Sequence, residues 1–354
     1  METITKLPVR KTTQTGLKEV DFNNLGFSKY IADHMLVADY HDGEWHDVEI
    51  VPFANLSLSP TSLALHYGQT AFEGMKAFRT HDNRINIFRI QRHLQRFNKS
   101  LDRMCMPDVP EEIFIDGLHQ LVELDRDWVP RAEDGALYIR PFMYASEEKL
   151  GVKISDEYKL VIFSTPVQSV FSKPLKVKVE TSYIRAGRGG TGYAKCGGNY
   201  GGAFYPTKLA KEQGYDQVLW TGGKDNGFIE ESGMMNALFV INGKLVTPPL
   251  SDSILDGITR NSLLAVAEDL GITTEQRPVS IDELKSAFKN KTITEAFGAG
   301  TAAVVAPIET IGIDGNDYHL PAYHESSILN KLKDRLELIR TARIPDDRNW
   351  NYIV

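Results

Sequence analysis

The chain has 354 residues, and at roughly 150 residues per domain this length predicts two domains. Its content of 42% hydrophobic and 25% charged residues is that of an ordinary globular protein able to bury a sizeable core. A formal net charge of −7 argues against a polyanionic partner, because phosphate backbones are gripped through an excess of Lys and Arg, so no nucleic acid is expected.

The first 20 residues carry Lys6, Arg10, Lys11 and Lys18 but no apolar run, which fits neither a secretory signal nor a membrane span. Glu2 and Glu19 count against an organellar transit signal, and no membrane association is expected. Residues 34–53 predict a strand pair turning at Asp42-Gly43, a dipeptide that supplies the positive φ of a tight hairpin. Ile85–Phe88 alternates as a strand, and the spacing of Leu94, Phe97, Leu101 and Met104 then predicts a helix. A second helix is predicted over 111–129, followed by buried strands at 136–144 and 159–165. The first domain, smaller and mixed α/β, is therefore expected to span 1–165.

Residues 166–174 lack periodicity and have proline at both ends, which reads as an interdomain linker. Beyond it a larger α/β domain, 175–354, is expected to carry Lys195. Its strands are predicted at 175–180, 217–220, 237–241 and 292–297, and its helices at 199–213, 259–270 and 281–289. Ser280 and Glu283 have capping-box spacing, Asn242-Gly243 reads as a second tight hairpin, and Gly214 and Gly271 read as left-handed helix ends. Strands and helices in both halves argue for mixed α+β or α/β layers. Cys105 and Cys196 are too few for a disulfide framework and fit a reducing compartment, so the cytoplasm is the expected location.

Chemistry concentrates in two small-residue segments. In Tyr193-Ala194-Lys195-Cys196-Gly197-Gly198-Asn199-Tyr200 a lysine stands among glycines, which leave room around its amine for a planar aromatic aldehyde. Pyridoxal phosphate is such an aldehyde, and its ring nitrogen must be kept protonated by an acid, which Glu230-Glu231-Ser232-Gly233-Met234-Met235-Asn236 supplies. Taken alone, each segment reads as readily as a surface loop. The run Gly187-Arg188-Gly189-Gly190-Thr191-Gly192 matches a dinucleotide fingerprint in spacing but not in context, since a helix should open directly after it; a flexible interdomain loop gating the site is the better reading. The nine histidines are scattered without metal-ligand spacing, so no metal is expected.

Both segments resemble the signature of the branched-chain amino acid aminotransferases, fold-type IV pyridoxal-phosphate enzymes. The resemblance runs in order through Asp33-His34-Met35, His66-Tyr67-Gly68, Phe72-Glu73-Gly74-Met75-Lys76-Ala77-Phe78, Leu137-Tyr138-Ile139-Arg140-Pro141, the Lys195 segment, Gln217-Val218-Leu219-Trp220, the Glu231 segment, Gly257-Ile258-Thr259-Arg260 and Gly300-Thr301-Ala302. It implies the two-domain architecture of that fold type, a homodimer, and transfer of the amino group of leucine, isoleucine or valine to 2-oxoglutarate. It also implies a Schiff-base and proton-shuttling role for Lys195, a pyridinium partner in Glu231, and a ring-oxygen partner in Tyr200. Arg96 would hold the phosphate together with donors of Ile258, Thr259 and Thr301. The implied substrate pocket comprises Phe27, Tyr67, Phe72, Tyr138, Arg140, Met234, Thr301 and Ala302, with Tyr67, Tyr138 and Arg140 meeting the carboxylate of glutamate. Each of these also admits a plainer role: Tyr200 as a packed core residue, Arg96 as an exposed helix residue, Thr259 as a helix cap, and Tyr138 with Arg140 as neighbours on one strand face. A D-amino acid aminotransferase or an aminodeoxychorismate lyase on the same fold is the alternative. Two departures stand out. Met234 replaces a threonine frequent in eukaryotic members, and Ala303 and Ala306 replace a Cys-x-x-Cys pair found in some mammalian members, which removes that thiol switch.

Overall fold

The computed structural model describes residues 4–131, 135–168, 173–224, 226–302 and 304–354. Its contacts divide the chain into two compact units, one of Met1–Val170, Ala194–Gly198 and Ile339–Val354, the other of Phe171–Tyr193 and Asn199–Leu338. Part of the expected linker, 169–172, lies outside the described residues.

In the first unit β1 (His34–His41) and β2 (Glu44–Pro52) form the expected hairpin, with Asp42 and Gly43 at φ 54° and 83° and His41 opposite Glu44. The chain continues through α1 (Leu63–Tyr67), β3 (Thr70–Phe72), β4 (Met75–Arg79), β5 (Ile85–Phe88) and α2 (Ile90–Arg103). The predicted periodicity of α2 is its buried stripe, with Ile90, Leu94, Phe97 and Leu101 packed into the core.

The helix expected over 111–129 is instead a wide turn at Glu112–Asp116, α3 (Gly117–Leu124) and a tight turn at Arg126–Trp128. The packing against β1 accounts for the breaks. A Cβ at Gly117 would lie 2.4 Å from Leu36, and the buried Asp125 carboxylate ends α3 by binding the His34 backbone N–H at 3.0 Å and its Nδ1 at 2.6 Å. Next come β6 (Ala136–Ala145) and β7 (Tyr158–Val167).

The second unit contains β8 (Leu175–Glu180), α4 (Gly198–Glu212), β9 (Gln217–Thr221), β10 (Ile229–Ser232), β11 (Met235–Ile241) and β12 (Lys244–Thr247). It continues with α5 (Ile258–Asp269), β13 (Thr274–Gln276), α6 (Ile281–Lys289), β14 (Ile293–Gly300), β15 (Val304–Ile313), β16 (Asn316–His319) and α7 (Ile328–Arg340). The order β10-β9-β8-β15-β14-β11 returns to β10 through its pairing with β11, so these strands close into a ring without free edges. Asn242 and Gly243 make the predicted hairpin, at φ 53° and 72°; Gly214 and Gly271 are left-handed, and the Ser280 side chain caps α6.

The last strand, β17 (Asn351–Ile353), returns to the first unit and pairs with β5, giving the sheet order β17-β5-β4-β6-β7-β1-β2 with β3 beside β6. Both units thus mix sheet and helix, the class expected. The lysine segment, however, belongs to the first unit and not to the second. Cys196 bridges Ala71 of β3, Phe72 N–H donates to the Lys195 carbonyl at 2.9 Å, and Gly197 N–H donates to the Thr70 carbonyl at 3.3 Å. Backbone hydrogen bonding to β3, 120 or more residues upstream, overrides chain order.

Candidate active site

Strand β3 and the turn after it build the surroundings of Lys195. Its Nζ stands 4.6 Å from the centre of the Phe72 ring, and the guanidinium of Arg140 lies 4.7 Å from the same ring. Residues two apart on a strand share a face, so Tyr138 and Arg140 of β6 point together, and Arg140 Nη2 donates to the Tyr138 hydroxyl at 2.8 Å. Phe27 packs edge-on against Tyr138 with ring centres 5.2 Å apart. Gly74 makes this possible, because a Cβ there would lie 2.1 Å from the Tyr138 oxygen. The first unit therefore brings Phe27, Phe72, Tyr138 and Arg140 together with Lys195. Arg140 Nε is buried and lacks a hydrogen-bond partner among the described residues. Tyr67 sits apart: its hydroxyl accepts from Gly151 N–H at 3.1 Å on an exposed surface.

Arg96, expected to hold the phosphate, is buried and paired with an acid. Its Nε and Nη2 bind the two carboxylate oxygens of Glu73 at 2.8 and 2.5 Å, with side-chain exposures of 6% and 0%. Burial raises the Glu73 carboxyl, but the charge of Arg96 and hydrogen bonds from His93 and Arg96 outweigh it and hold the group well below the usual carboxylate range. Arg96 is thus a buried partner of Glu73 rather than an exposed helix residue. Burial lowers the neighbouring His93 imidazole, Glu73 opposes this, and the charges of Arg96 and Arg89 push it down further. Two guanidinium groups therefore share this corner with the Glu73 carboxylate, and Arg89 is the one that sequence reasoning passed over. Arg89 heads α2 in the left-handed region (φ 57°, ψ 40°), which is uncommon for a side chain of its size, and its guanidinium lies 4.5 Å from the Trp350 ring centre.

In the second unit Glu231 lies in the closed ring at 3% exposure. One oxygen accepts the Leu255 backbone N–H, and the other is 3.3 Å from Arg185 Nε. Arg185 is held in turn by the carbonyls of Gly192 and Ser253 at 3.0 and 2.5 Å. Beside it, Ser253 donates to Glu230 at 2.6 Å; burial raises the Glu230 carboxyl above its ordinary value despite that bond and the charge of Arg185. Asn236 donates to the Leu255 carbonyl at 2.9 Å, and a Cβ at Gly257 would collide with the Asn236 oxygen at 1.7 Å. Glu231 and Asn236 thus clamp both sides of Leu255 and fix the entry into α5. The cap of α5 is Gly257 and not Thr259, and no side chain caps this helix N-terminus, where the backbone dipole favours an anion.

Tyr200 is half-buried in the first turn of α4, Met234 is 71% exposed, and Thr301 and Ala302 form the turn after β14. Ala303 lies outside the described residues. The glycine-rich run is fastened rather than loose: Gly189 N–H donates to Asp252 at 2.6 Å, and a Cβ at Gly192 would lie 2.5 Å from the Ser253 backbone. Arg185 and Asn236 were missed by sequence reasoning; the obligatory glycine at 257 is the signal that marks the second. Among the described residues no group of three or more His, Cys, Asp or Glu is placed to hold a metal, and no helix is long and apolar enough to cross a membrane.

Residues 70–311 match the family described as Amino-transferase class IV. The chain is 44% identical over 348 residues to a probable branched-chain-amino-acid aminotransferase of Staphylococcus epidermidis, covering 97% of each chain. It is 42% identical over 359 residues to branched-chain-amino-acid aminotransferase 2 of Bacillus subtilis, covering 98% of this chain and 97% of the other. Among solved structures, the branched-chain amino acid aminotransferase of Thermobaculum terrenum in its PLP form is similar, with a TM-score of 0.73 and 25% identity over 90% of this chain and 97% of that one. The branched-chain aminotransferase of Escherichia coli shares the fold, with a TM-score of 0.73 and 23% identity over 90% of this chain and 98% of that one.

Proposed function

Because this chain belongs to the class IV aminotransferase family, and is therefore a pyridoxal-phosphate-dependent transaminase, we propose that it exchanges the amino group of L-leucine, L-isoleucine or L-valine with 2-oxoglutarate. The observation that carries the substrate reading is the grouping of Lys195, Phe72, Tyr138, Phe27 and Arg140 in one unit, an amine and a guanidinium among aromatic rings.

The residues suit the cofactor. The helix N-terminus at Ile258 and Thr259, the Thr301 turn and the Arg96 guanidinium are anion donors, while Glu231 is a buried carboxylate held in place by its neighbours. When bound, pyridoxal phosphate supplies an electron sink for the pair released at the substrate Cα. Lys195 Nζ would hold the cofactor and, as a free amine, would move a proton to and from the substrate Cα. Glu231 would keep the pyridine nitrogen protonated, and the Tyr200 hydroxyl would bond the ring oxygen. Arg96, oriented by its pairing with Glu73, would hold the phosphate in this reading.

Phe27, Phe72 and Tyr138 wall in an apolar side chain, worth about 1.5–3 kcal/mol on burial. Arg140, with its unpartnered Nε, meets the second carboxylate of glutamate. By the family likeness Met234, Thr301 and Ala302 would also contact the substrate. Tyr67, Leu65, Leu150, Val152 and Ile154 are each exposed, as side chains covered in a homodimer would be, and in this reading Tyr67 would reach the partner's pocket. The free Cys105 and Cys196 fit a reducing compartment, the cytoplasm.

The test is the purified protein with pyridoxal phosphate and 2-oxoglutarate, offered L-leucine or D-alanine side by side. Glutamate formed in step with loss of L-leucine is expected. A preference for D-alanine, or pyruvate release from aminodeoxychorismate without transamination, would replace this reading with its fold relatives.

A further inference from the structure

A circuit of contacts around Lys195 is not used by the chemistry above. Lys195 N–H donates to Oγ of Ser100 at 2.9 Å, and the Ser100 hydroxyl donates to the Arg96 carbonyl, one turn back in α2, at 3.0 Å. Ser100 is 1% exposed. Arg96 is locked to Glu73 through both carboxylate oxygens. Glu73 follows Phe72, whose N–H donates to the Lys195 carbonyl at 2.9 Å and whose ring faces Nζ. The circuit thus leaves Lys195 through its N–H and returns through its carbonyl.

One step of it departs from regular structure. The Ala71–Cys196 bridge makes Phe72 and Lys195 the next pair of an antiparallel ladder, and such a pair exchanges two hydrogen bonds. The Lys195 carbonyl makes its bond to Phe72, but the Lys195 N–H goes to Ser100 instead. A hydroxyl that donates to the carbonyl four residues back has its rotation fixed, so its lone pairs aim in one direction. Alanine would satisfy the helix equally well at this position; the hydroxyl is what the lysine backbone uses.

We propose that Ser100 is a positioning residue for Lys195, its hydroxyl setting the backbone orientation from which Nζ projects past Phe72. The inference rests on the reading of Lys195 as the cofactor-bearing lysine. The Glu73–Arg96 pair anchors the same turn of α2, so Ser100 is held from behind as it holds the lysine.

The experiment compares holoenzyme carrying Ser100, Ser100→Ala and Ser100→Thr. Steady-state rates with leucine, the pH midpoint of the visible band of the lysine-bound cofactor, and amide exchange over 194–198 are measured on each. Ser100→Ala is expected to lower kcat by roughly 10–100-fold with KM nearly unchanged, as misplacement of a reacting group does, to move the pH midpoint, and to speed exchange at Lys195. Ser100→Thr, which keeps the hydroxyl, should restore most of kcat and the parental midpoint. An alanine variant with parental kcat and midpoint overturns the proposal even if it melts earlier. Should that variant not fold, the parent still decides: a Lys195 amide exchanging like an exposed one overturns it, and a protected one together with Thr rescue upholds it. Borohydride reduction and peptide mapping separate the two levels. A pyridoxyl group on another lysine overturns both readings, whereas a group on Lys195 with an indifferent Ser100→Ala overturns the positioning role alone.

Discussion

Replacing Glu73 by Gln keeps the shape of a fully buried side chain and removes its charge. The carboxylate is 0% exposed and receives two hydrogen bonds from a guanidinium that is itself 6% exposed, so Arg96 would be left charged and buried. Breaking a buried pair in this way costs about 3–5 kcal/mol, and the second guanidinium of Arg89 nearby favours the upper half of that range. At about 2–4 °C per kcal/mol for a domain of 150–250 residues, the melting point of the first unit should fall by roughly 6–20 °C. Arg96→Met should cost a similar amount, because it strands the carboxylate. Arg96→Met should also weaken cofactor binding by roughly 10–100-fold, the loss of one charge-assisted phosphate contact. Calorimetric unfolding of the apoproteins beside cofactor titrations by absorbance reads both quantities. The pH dependence has a definite sign: the folded carboxyl lies below its ordinary 4.5, so its stabilisation is complete above that value and is lost only as pH falls below it. If Arg96→Met leaves the apoprotein within about 1 kcal/mol of the parent, the pair with Glu73 does not stabilise this corner and the reasoning fails.

Arg140→Met should weaken the glutamate half-reaction by roughly 10–100-fold in kcat/KM while changing the leucine half-reaction far less, measured by single-turnover spectroscopy; equal losses would make Arg140 a structural residue of β6. The Glu230 carboxyl is raised by burial, so ionising it costs folding stability as pH climbs past its ordinary 4.5. Glu230→Gln should therefore raise the melting point near neutral pH, with the gain disappearing below that value. A gain independent of pH would point to packing instead of charge.

What the sequence made legible was local. Asp42-Gly43 and Asn242-Gly243 specify their turns through backbone conformations open to few other pairs, and the apolar spacing in α2 leaves one face to bury. The helix expected over 111–129 was lost because its breaks come from packing on Leu36 and from the pairing of Asp125 with His34, partners about 80–90 residues away in sequence. Arg96 was legible in principle. It shares the buried stripe of α2 with Leu94, Phe97 and Leu101, and an arginine on such a stripe demands a buried acid, which Phe72-Glu73-Gly74 contains. Lys195 and Glu231 were found through residue type and neighbours, but the attachment of the lysine to β3 depends on backbone hydrogen bonds that carry no side-chain signature.

That attachment bears on biosynthesis. The first unit takes its lysine segment from residues 194–198 and its edge strand β17 from residues made only after all of 199–338. Domains generally fold from the N-terminus as the ribosome delivers them, yet here the N-terminal sheet waits with the edge of β5 unpaired while the whole second unit is synthesised. The unit that emerges first is the last to be completed, and the edge of β5 stays without its β17 partner until the end of the chain has been made.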